Sequence, residues 1–214
     1  MLIDFEQIHF NFGIKTKGVL HVGAHHGQEY HNYKRQGVEN IAFFEPVASH
    51  FSIMKKNITD ENVKMFQVAL GSEEKTTDIY ISDFLGENAE SFKGQSSSLL
   101  KPKKHLEQYQ DIPFNETEQV KVVTLNSLLG VDIDPEKYDF LNIDVQGYEL
   151  EVLRGASEIL PTINAVYTEI NRDELYEGCP MVEELDEYLS TFGFVRKLTD
   201  WSGRTWGDAL YLRG

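Results

Sequence analysis

Apolar and polar positions follow two rhythms along this chain. Short apolar runs recur: "GVLHVG" (18–23), "NIAFFE" (40–45), "VKMFQVAL" (63–70), "YDFLNIDV" (138–145) and "NAVYTEI" (164–170). Their length and their β-branched or aromatic content are those of buried strands. Between them lie longer mixed segments with the character of amphipathic helices: "GQEYHNYKRQG" (27–37), "PVASHFSIMKKN" (46–57), "GYELEVLRGASEILP" (147–161) and "MVEELDEYLSTFG" (181–193). Gly37 is expected to end the first, Pro46 to occupy the first turn of the second, and Pro161 to end the third. The order β-α-β-α-β predicts a parallel sheet covered on both faces. The closing runs "FVRKL" and "ALYLR" leave no room for a helix between them and should pair antiparallel. The expectation is an α/β fold with roughly seven core strands, one of them antiparallel at the edge.

Residues 72–118 break this rhythm. "TTDIYIS" and "QVKVVTL" read as strands, and "NSLLG" as a short helical turn. The stretch "DFLGENAESFKGQSSSLLKPKK" (83–104) is polar and rich in glycine and serine, which predicts a lid-like insertion over about 83–118.

At 214 residues, a single domain spanning 1–214 is expected. No run of 18 apolar residues occurs, the N-terminal "MLIDFEQIHFNFGIK" lacks the pattern of a signal peptide, and Cys179 is the one cysteine. These features predict a cytoplasmic protein without disulfides. The formal net charge is −15, which disfavours phosphate backbones and anionic membranes as partners. The basic "KPKK" (101–104) reads as a solvated loop.

In open α/β sheets, ligands bind beyond the carboxyl ends of the strands. Those ends carry Gly23-Ala24-His25-His26-Gly27, then Glu45-Pro46, Ala69-Leu70-Gly71, Asp144 and Glu169. The glycine loop lacks the lysine and the Ser/Thr of a phosphate loop. Glu45 follows Gly23 by 22 residues, the offset at which a carboxylate takes ribose hydroxyls. Acidic residues recur at the strand ends and basic ones do not. A nucleoside with a positively charged zwitterionic tail, of which S-adenosylmethionine is one, suits them better than a pyrophosphate.

The segments "VLHVGAHHGQEY", "FFEP", "VALG", "SSSLL", "VVTLNSLL" and "FLNIDVQGYELEVLRGASEIL" resemble, in this order, the FkbM family of class I methyltransferases. The resemblance covers residues 17–213, and "IDVQGYELEVLRGA" is its most specific block. It implies a Rossmann-like three-layer sandwich with a seven-stranded, mostly parallel sheet and one antiparallel strand in the edge region. It also implies S-adenosylmethionine as cofactor and methyl transfer to a hydroxyl, mostly of sugars, glycans or other small molecules. By position, Gly23, Ala24 and Gly27 line the methionine part of the cofactor, and His25 is a contact of the cofactor loop or of the substrate. Glu45 with Pro46 holds the ribose, Ala69 and Leu70 border the adenine, and Asp144 sits beside the reacting centre. The chain departs from the family pattern at His21, His25, Asn142 and Gln146, where aspartate, asparagine, lysine and glutamate are usual.

Asp144 is the first candidate for a general base, with Glu169 a second base or an acceptor for sugar hydroxyls and His25 a third candidate. Asp144 has an alternative role as a helix cap, Glu169 as a surface partner of Arg172, and Glu149 as a charge favouring its own helix start. His21, His25 and His26 invite a metal, yet adjacent histidines such as His25 and His26 rarely converge on one ion, no third ligand for that pair is near in sequence, and no metal is assigned. A hard divalent ion on Asp144 and Glu169 is compatible with their chemistry, but no spacing demands it. Tyr148, Trp201 and Trp206 are candidates for stacking on a sugar, Tyr167 for packing in the core, and Ser96, Ser97 and Ser98 for contacts from the long loop. A nicotinamide-dependent oxidoreductase is disfavoured, since the loop lacks G-x-G-x-x-G and no Tyr-x-x-x-Lys pair occurs. A non-catalytic nucleoside- or glycan-binding domain is the alternative. The short lead and abrupt end suggest a piece of a longer chain, with glycosyltransferase domains as partners.

Overall fold

The structure is a computed structural model that describes residues 1–86, 92–202 and 205–214. Helix α1 (Phe5–Phe12) opens the chain and was not foreseen from the sequence. Asp4 accepts the Glu6 N–H at its start, and Gly13 closes it in the left-handed conformation. Then come β1 (Gly18–Val22), α2 (Tyr30–Arg35), β2 (Asn40–Phe44), α3 (Ala48–Asn57) and β3 (Lys64–Phe66). The middle holds β4 (Ala69–Leu70), β5 (Lys75–Ile81), α4 (His105–Gln108) and β6 (Glu116–Val123). The last third holds β7 (Phe140–Ile143), α5 (Glu149–Gly155), β8 (Ala165–Asn171), α6 (Val182–Ser190), β9 (Phe194–Ser202) and β10 (Trp206–Arg213).

Among the described residues, seven strands form one sheet in the order β3-β2-β1-β7-β8-β10-β9. All pairs are parallel except those made by β10, which runs antiparallel to both β8 and β9. The antiparallel strand therefore lies inside the sheet, and β9 forms the edge. Every residue of β1 is buried, because helices cover both faces. Val19 packs with Phe5, Tyr33 and Met54 of the α1–α3 layer, while Leu20 and Val22 pack with Val152, Leu153 and Leu185 of the α5–α6 layer. Each such side chain contributes about 1.5–3 kcal/mol by leaving water. No helix among the described residues is long and apolar enough to cross a membrane.

Several boundaries differ from expectation. "VKMFQVAL" is two strands: β3 pairs with β2, and the chain then crosses to a second sheet of order β4-β6-β5. That sheet has its own core, including Val47, Ile79 and Val122. Pro46 precedes the cap of α3 rather than starting the helix. Helix α5 stops at Gly155, and Pro161 falls in a separate 3-10 turn. Within the insertion, residues 87–91 lie outside the described residues, but its remainder is tied down. The backbone of Ser98 pairs with Tyr80 (2.8 and 3.1 Å), and the Lys103 N–H donates to the Leu175 carbonyl (2.8 Å). The "KPKK" lysines are not merely solvated: Lys101, Lys103 and Lys104 pair with Glu177, Glu174 and Asp173.

Candidate active site

Chain order puts β2 and β3 on one side of β1, and β7 and β8 on the other. The carboxyl ends of β1 and β7 thus flank the point where strand order reverses, and a crevice must open there. A cavity of about 510 Å³ occupies it, within the range of small-molecule sites. Gly23, Ala24, His25, Glu45, Pro46, Ala69, Leu70, Asp144 and Glu169 all line this cavity. Gly27 does not; it sits behind the loop and donates its N–H to the Ala24 carbonyl at 2.8 Å.

The loop is held from below. The N–H groups of Gly23 and Ala24 both donate to the Phe44 carbonyl, at 3.0 and 3.1 Å. Gly23 has φ +83°, and a Cβ there would lie 1.8 Å from the Asp144 carbonyl oxygen. Only glycine lets the ends of β1 and β7 approach so closely. Glu45 is 5 % exposed, and its carboxylate accepts the His25 N–H (2.8 Å) and the Val47 N–H (2.9 Å). It therefore joins the loop to the start of α3. Burial pushes its carboxyl up to about 7, against the opposing pull of those two N–H groups. Each oxygen keeps a second acceptor position for a ligand.

At the ends of β7 and β8 stands a carboxylate pair. The Gln146 side-chain amide donates to Asp144 Oδ1 (2.8 Å) and to Glu169 Oε2 (2.6 Å). Its Oε1 accepts the Tyr176 hydroxyl (3.1 Å), and its backbone is left-handed at φ +56°. Glu169 is 3 % exposed. Burial pushes its carboxyl well above the usual carboxylate range, reinforced by the charges of Asp144, Glu149 and Asp208. Glu169 is bonded to Gln146, not to Arg172, whose guanidinium lies 3.5 Å over the Trp201 ring. Asp144 does not cap α5. Nor does any other side chain: Glu149, the first residue of α5, instead ties down the preceding turn by accepting the N–H groups of Val145 (3.2 Å) and Gly147 (3.0 Å).

His21 and Asn142 are register partners on β1 and β7. The Asn142 amide donates to the Tyr33 hydroxyl (2.7 Å), which lies 3.0 Å from His21 Nδ1. Burial lowers the His21 imidazole to about 3, so the ring is neutral and accepts the hydroxyl proton. Asn142 lines the cavity, and its Oδ1 has no hydrogen-bond partner. Both ring nitrogens of His25 are engaged, Nε2 with the Lys93 carbonyl (2.8 Å) and Nδ1 with the Gln28 amide (2.9 Å).

Of the other candidates, Ser96, Ser97, Tyr148 and Trp206 line the cavity, while Trp201 packs against the core. Residues 203 and 204 of the turn between the tryptophans lie outside the described residues. The Ser98 hydroxyl donates to the Gln146 carbonyl (2.7 Å), and Tyr167 is core. Sequence reasoning missed Asp208, the register partner of Glu169, which accepts the Leu2 N–H (2.6 Å) and the Tyr167 hydroxyl. Burial pushes it up to about 6. A lone acid inside the apolar run "GDALYL" was the available signal.

The domain model described as "Methyltransferase FkbM domain" matches residues 21–196. A curated relative, the 2-O-methyltransferase NoeI of Sinorhizobium fredii (strain NBRC 101917 / NGR234), is 27 % identical over 179 residues, covering 83 % of this chain and 72 % of that protein. Two of the solved structures that share the fold illustrate it. A putative S-adenosylmethionine dependent methyltransferase from Listeria monocytogenes has a TM-score of 0.54 at 9 % identity, with 98 % of each chain covered. Magnesium protoporphyrin IX methyltransferase from Synechocystis PCC 6803, with bound SAH, has a TM-score of 0.52 at 8 % identity, covering 98 % of this chain and 79 % of that one. The match over residues 21–196 takes in both the glycine loop and the Asp144–Glu169 pair, and the chain belongs to the FkbM methyltransferase family.

Proposed function

We propose that this chain is an S-adenosylmethionine-dependent O-methyltransferase that acts on a hydroxyl group of a sugar or glycan. The observation that carries the reading is the Gln146 amide bridging Asp144 and Glu169 in the same cavity that Glu45 lines. The 2-O-methyltransferase name of the rhizobial relative supports oxygen as the acceptor atom.

The lining suits the cofactor. It carries Glu29, Glu45, Asp144, Glu169 and Asp208, and no lysine or arginine among the described residues. The sulfonium and ammonium of such a ligand meet a mostly acidic wall, to which the Met1 amino group is an exception. The unpartnered Asn142 Oδ1 is an acceptor for an N–H donor, and such buried acceptors are rarely left empty. Glu45 would hold the ribose, and Pro46, Ala69 and Leu70 would border the base.

When bound, S-adenosylmethionine supplies an electrophilic methyl group. The protein's part is to align the acceptor oxygen and to remove its proton. Alignment contributes about 7–11 kcal/mol when the geometry is near-attack. A placed base contributes about 10²–10⁴-fold. Asp144 is the base in this reading. Glu169 bonds a second acceptor hydroxyl, and Gln146 keeps the two carboxyl groups at fixed separation. His25, with both nitrogens committed, positions the loop rather than moving a proton.

The test is a radiolabelled methyl-transfer screen over monosaccharides and glycans, run beside Asp144→Asn. The expected result is methylation of a hydroxyl, lowered at least about tenfold by the substitution. The affinity for S-adenosylhomocysteine should stay within a few fold. Tight cofactor binding with no methylation of any sugar would instead leave a non-catalytic nucleoside- or glycan-binding domain.

A further inference from the structure

Three imidazoles meet where the glycine loop touches α3. His25 and His26 follow Ala24 in the loop, and His50 is the third residue of α3. The His25 and His26 rings stack with centroids 3.8 Å apart, and His25 and His50 are 4.4 Å apart. Nε2 of His26 lies 3.0 Å from Nδ1 of His50. One ring nitrogen of each residue falls within 4.8 Å of the other two. Two nitrogens on one zinc ion, each at about 2.0–2.1 Å, stand roughly 3–3.5 Å apart. The His26–His50 spacing is already that of a ligand pair. Sequence spacing hid this cluster, because the third imidazole comes from α3 and not from His21.

The packing of His50 fixes which of its nitrogens faces the cluster. His50 is 5 % exposed, and its Nε2 is buried with no hydrogen-bond partner. That nitrogen abuts Gly94, where a Cβ would sit 2.0 Å away. Nε2 is thus taken up against Gly94, and Nδ1, 3.0 Å from the His26 ring, is the nitrogen of His50 that an ion would take. The His25 ring is also oriented as a ligand would be. Its Nε2–H goes to the Lys93 carbonyl (2.8 Å), which leaves the Nδ1 lone pair to the Gln28 amide (2.9 Å). A bond from the far nitrogen to a backbone carbonyl is the usual device that fixes a histidine ligand.

We propose that His25, His26 and His50 form a binding site for a nitrogen-preferring divalent transition metal, zinc foremost. Three imidazoles suit zinc, cobalt, nickel or copper, whereas magnesium and calcium want oxygen. Closing on the ion opens the His25–His26 stack and takes Nδ1 of His25 from the Gln28 amide. His26 is half-buried and leaves a fourth position to water. The ion ties together the glycine loop, the start of α3 and the Lys93–Gly94 segment. Two of these, through His25 and Gly94, line the cavity.

The experiment uses the full chain without a polyhistidine tag, stripped by a chelator and titrated with Co²⁺ and then Zn²⁺. One equivalent of Co²⁺ should bind with visible ligand-field absorption, and Zn²⁺ should displace it. His26→Ala and, separately, His50→Gln should weaken Co²⁺ binding at least about tenfold, the loss seen even when only a group bonded to a ligand is removed. His31→Ala, at an exposed histidine outside the cluster, should leave it unchanged. Because His26 is half-buried, its variant keeps the wild-type circular dichroism whatever His50→Gln does to folding. No absorption at saturating Co²⁺, or binding that survives His26→Ala, overturns the proposal.

Discussion

Replacing Glu45 by glutamine keeps the shape of the side chain and turns one acceptor oxygen into a donor. Both oxygens are in use, one at 2.8 Å from the His25 N–H and the other at 2.9 Å from the Val47 N–H. Glu45→Gln therefore loses one charge-assisted bond and leaves a buried N–H facing an NH₂ group. Such a loss costs about 1.5–3 kcal/mol, part of which is the unsatisfied N–H itself. The loop keeps its bonds from Gly23 and Ala24 to Phe44, so the variant should stay folded within a total stability of about 5–15 kcal/mol. In the ligand complex, one of two acceptors for the ribose hydroxyls also disappears. A loss of about 1.5–3 kcal/mol raises Kd by about 10- to 150-fold. Titration calorimetry with S-adenosylhomocysteine at pH 8 measures this, and urea unfolding measures stability separately. A cofactor product lacking both ribose hydroxyls completes a double-mutant cycle. It should bind wild type and variant within about threefold, since the contact it lacks is the contact the variant lacks. A Kd for the intact product unchanged in a folded variant would refute the ribose role. Equal weakening for both ligands would show that Glu45 acts only by holding the loop.

Gly23→Ala should abolish cofactor binding and lower stability at least about 2 kcal/mol in urea unfolding, from a positive φ and a Cβ 1.8 Å from the Asp144 carbonyl oxygen. Gln146→Met removes the donor shared by Asp144 and Glu169. The Glu169 carboxyl should then rise further, and since it must be ionised to accept the second acceptor hydroxyl, KM for the acceptor should rise at low pH while product affinity holds within a few fold. Burial raises the Glu149 carboxyl from its ordinary value of 4.5 to about 7, so the proton is bound more tightly in the folded state. Its contribution to stability is present below about pH 4.5 and is lost as pH rises through about 7. Glu149→Gln retains the Oε1 acceptor and cannot ionise, so it should gain on wild type between urea midpoints measured at pH 5 and pH 8.

The neutral link between His21 and Asn142 shows how two departures from the family pattern become one feature. Each looks isolated in the sequence, yet they face each other across β1 and β7 and share the Tyr33 hydroxyl. Where the family pattern has aspartate and lysine, this chain has two neutral groups, so the exchange preserves local charge balance. Gln146 is a different case. As a glutamate it would bring a third carboxyl against Asp144 and Glu169, whereas its amide supplies a donor to both.

Local pattern by itself determined the strands of the parallel sheet. "GVLHV" and "NIAFF" are buried on both faces, so they must be nearly continuous in apolar content, and that is visible along one line of sequence. The glycine turn, Glu45, Asp144 and Glu169 were equally legible, because strand ends are local and the site of a parallel sheet lies at them. Only tertiary structure decided the rest. Nothing within "VKMFQVAL" marks the crossing from one sheet to another, since partner choice depends on β2 and β6. The depth of Glu169, the tie from Glu149 to its own loop, and the arrival of His50 beside His25 and His26 depend on packing between segments far apart in the chain. Periodicity reports which face of an element is dry. It carries no record of which distant side chain meets that face, and here those meetings set the charges and the bonds of the cavity.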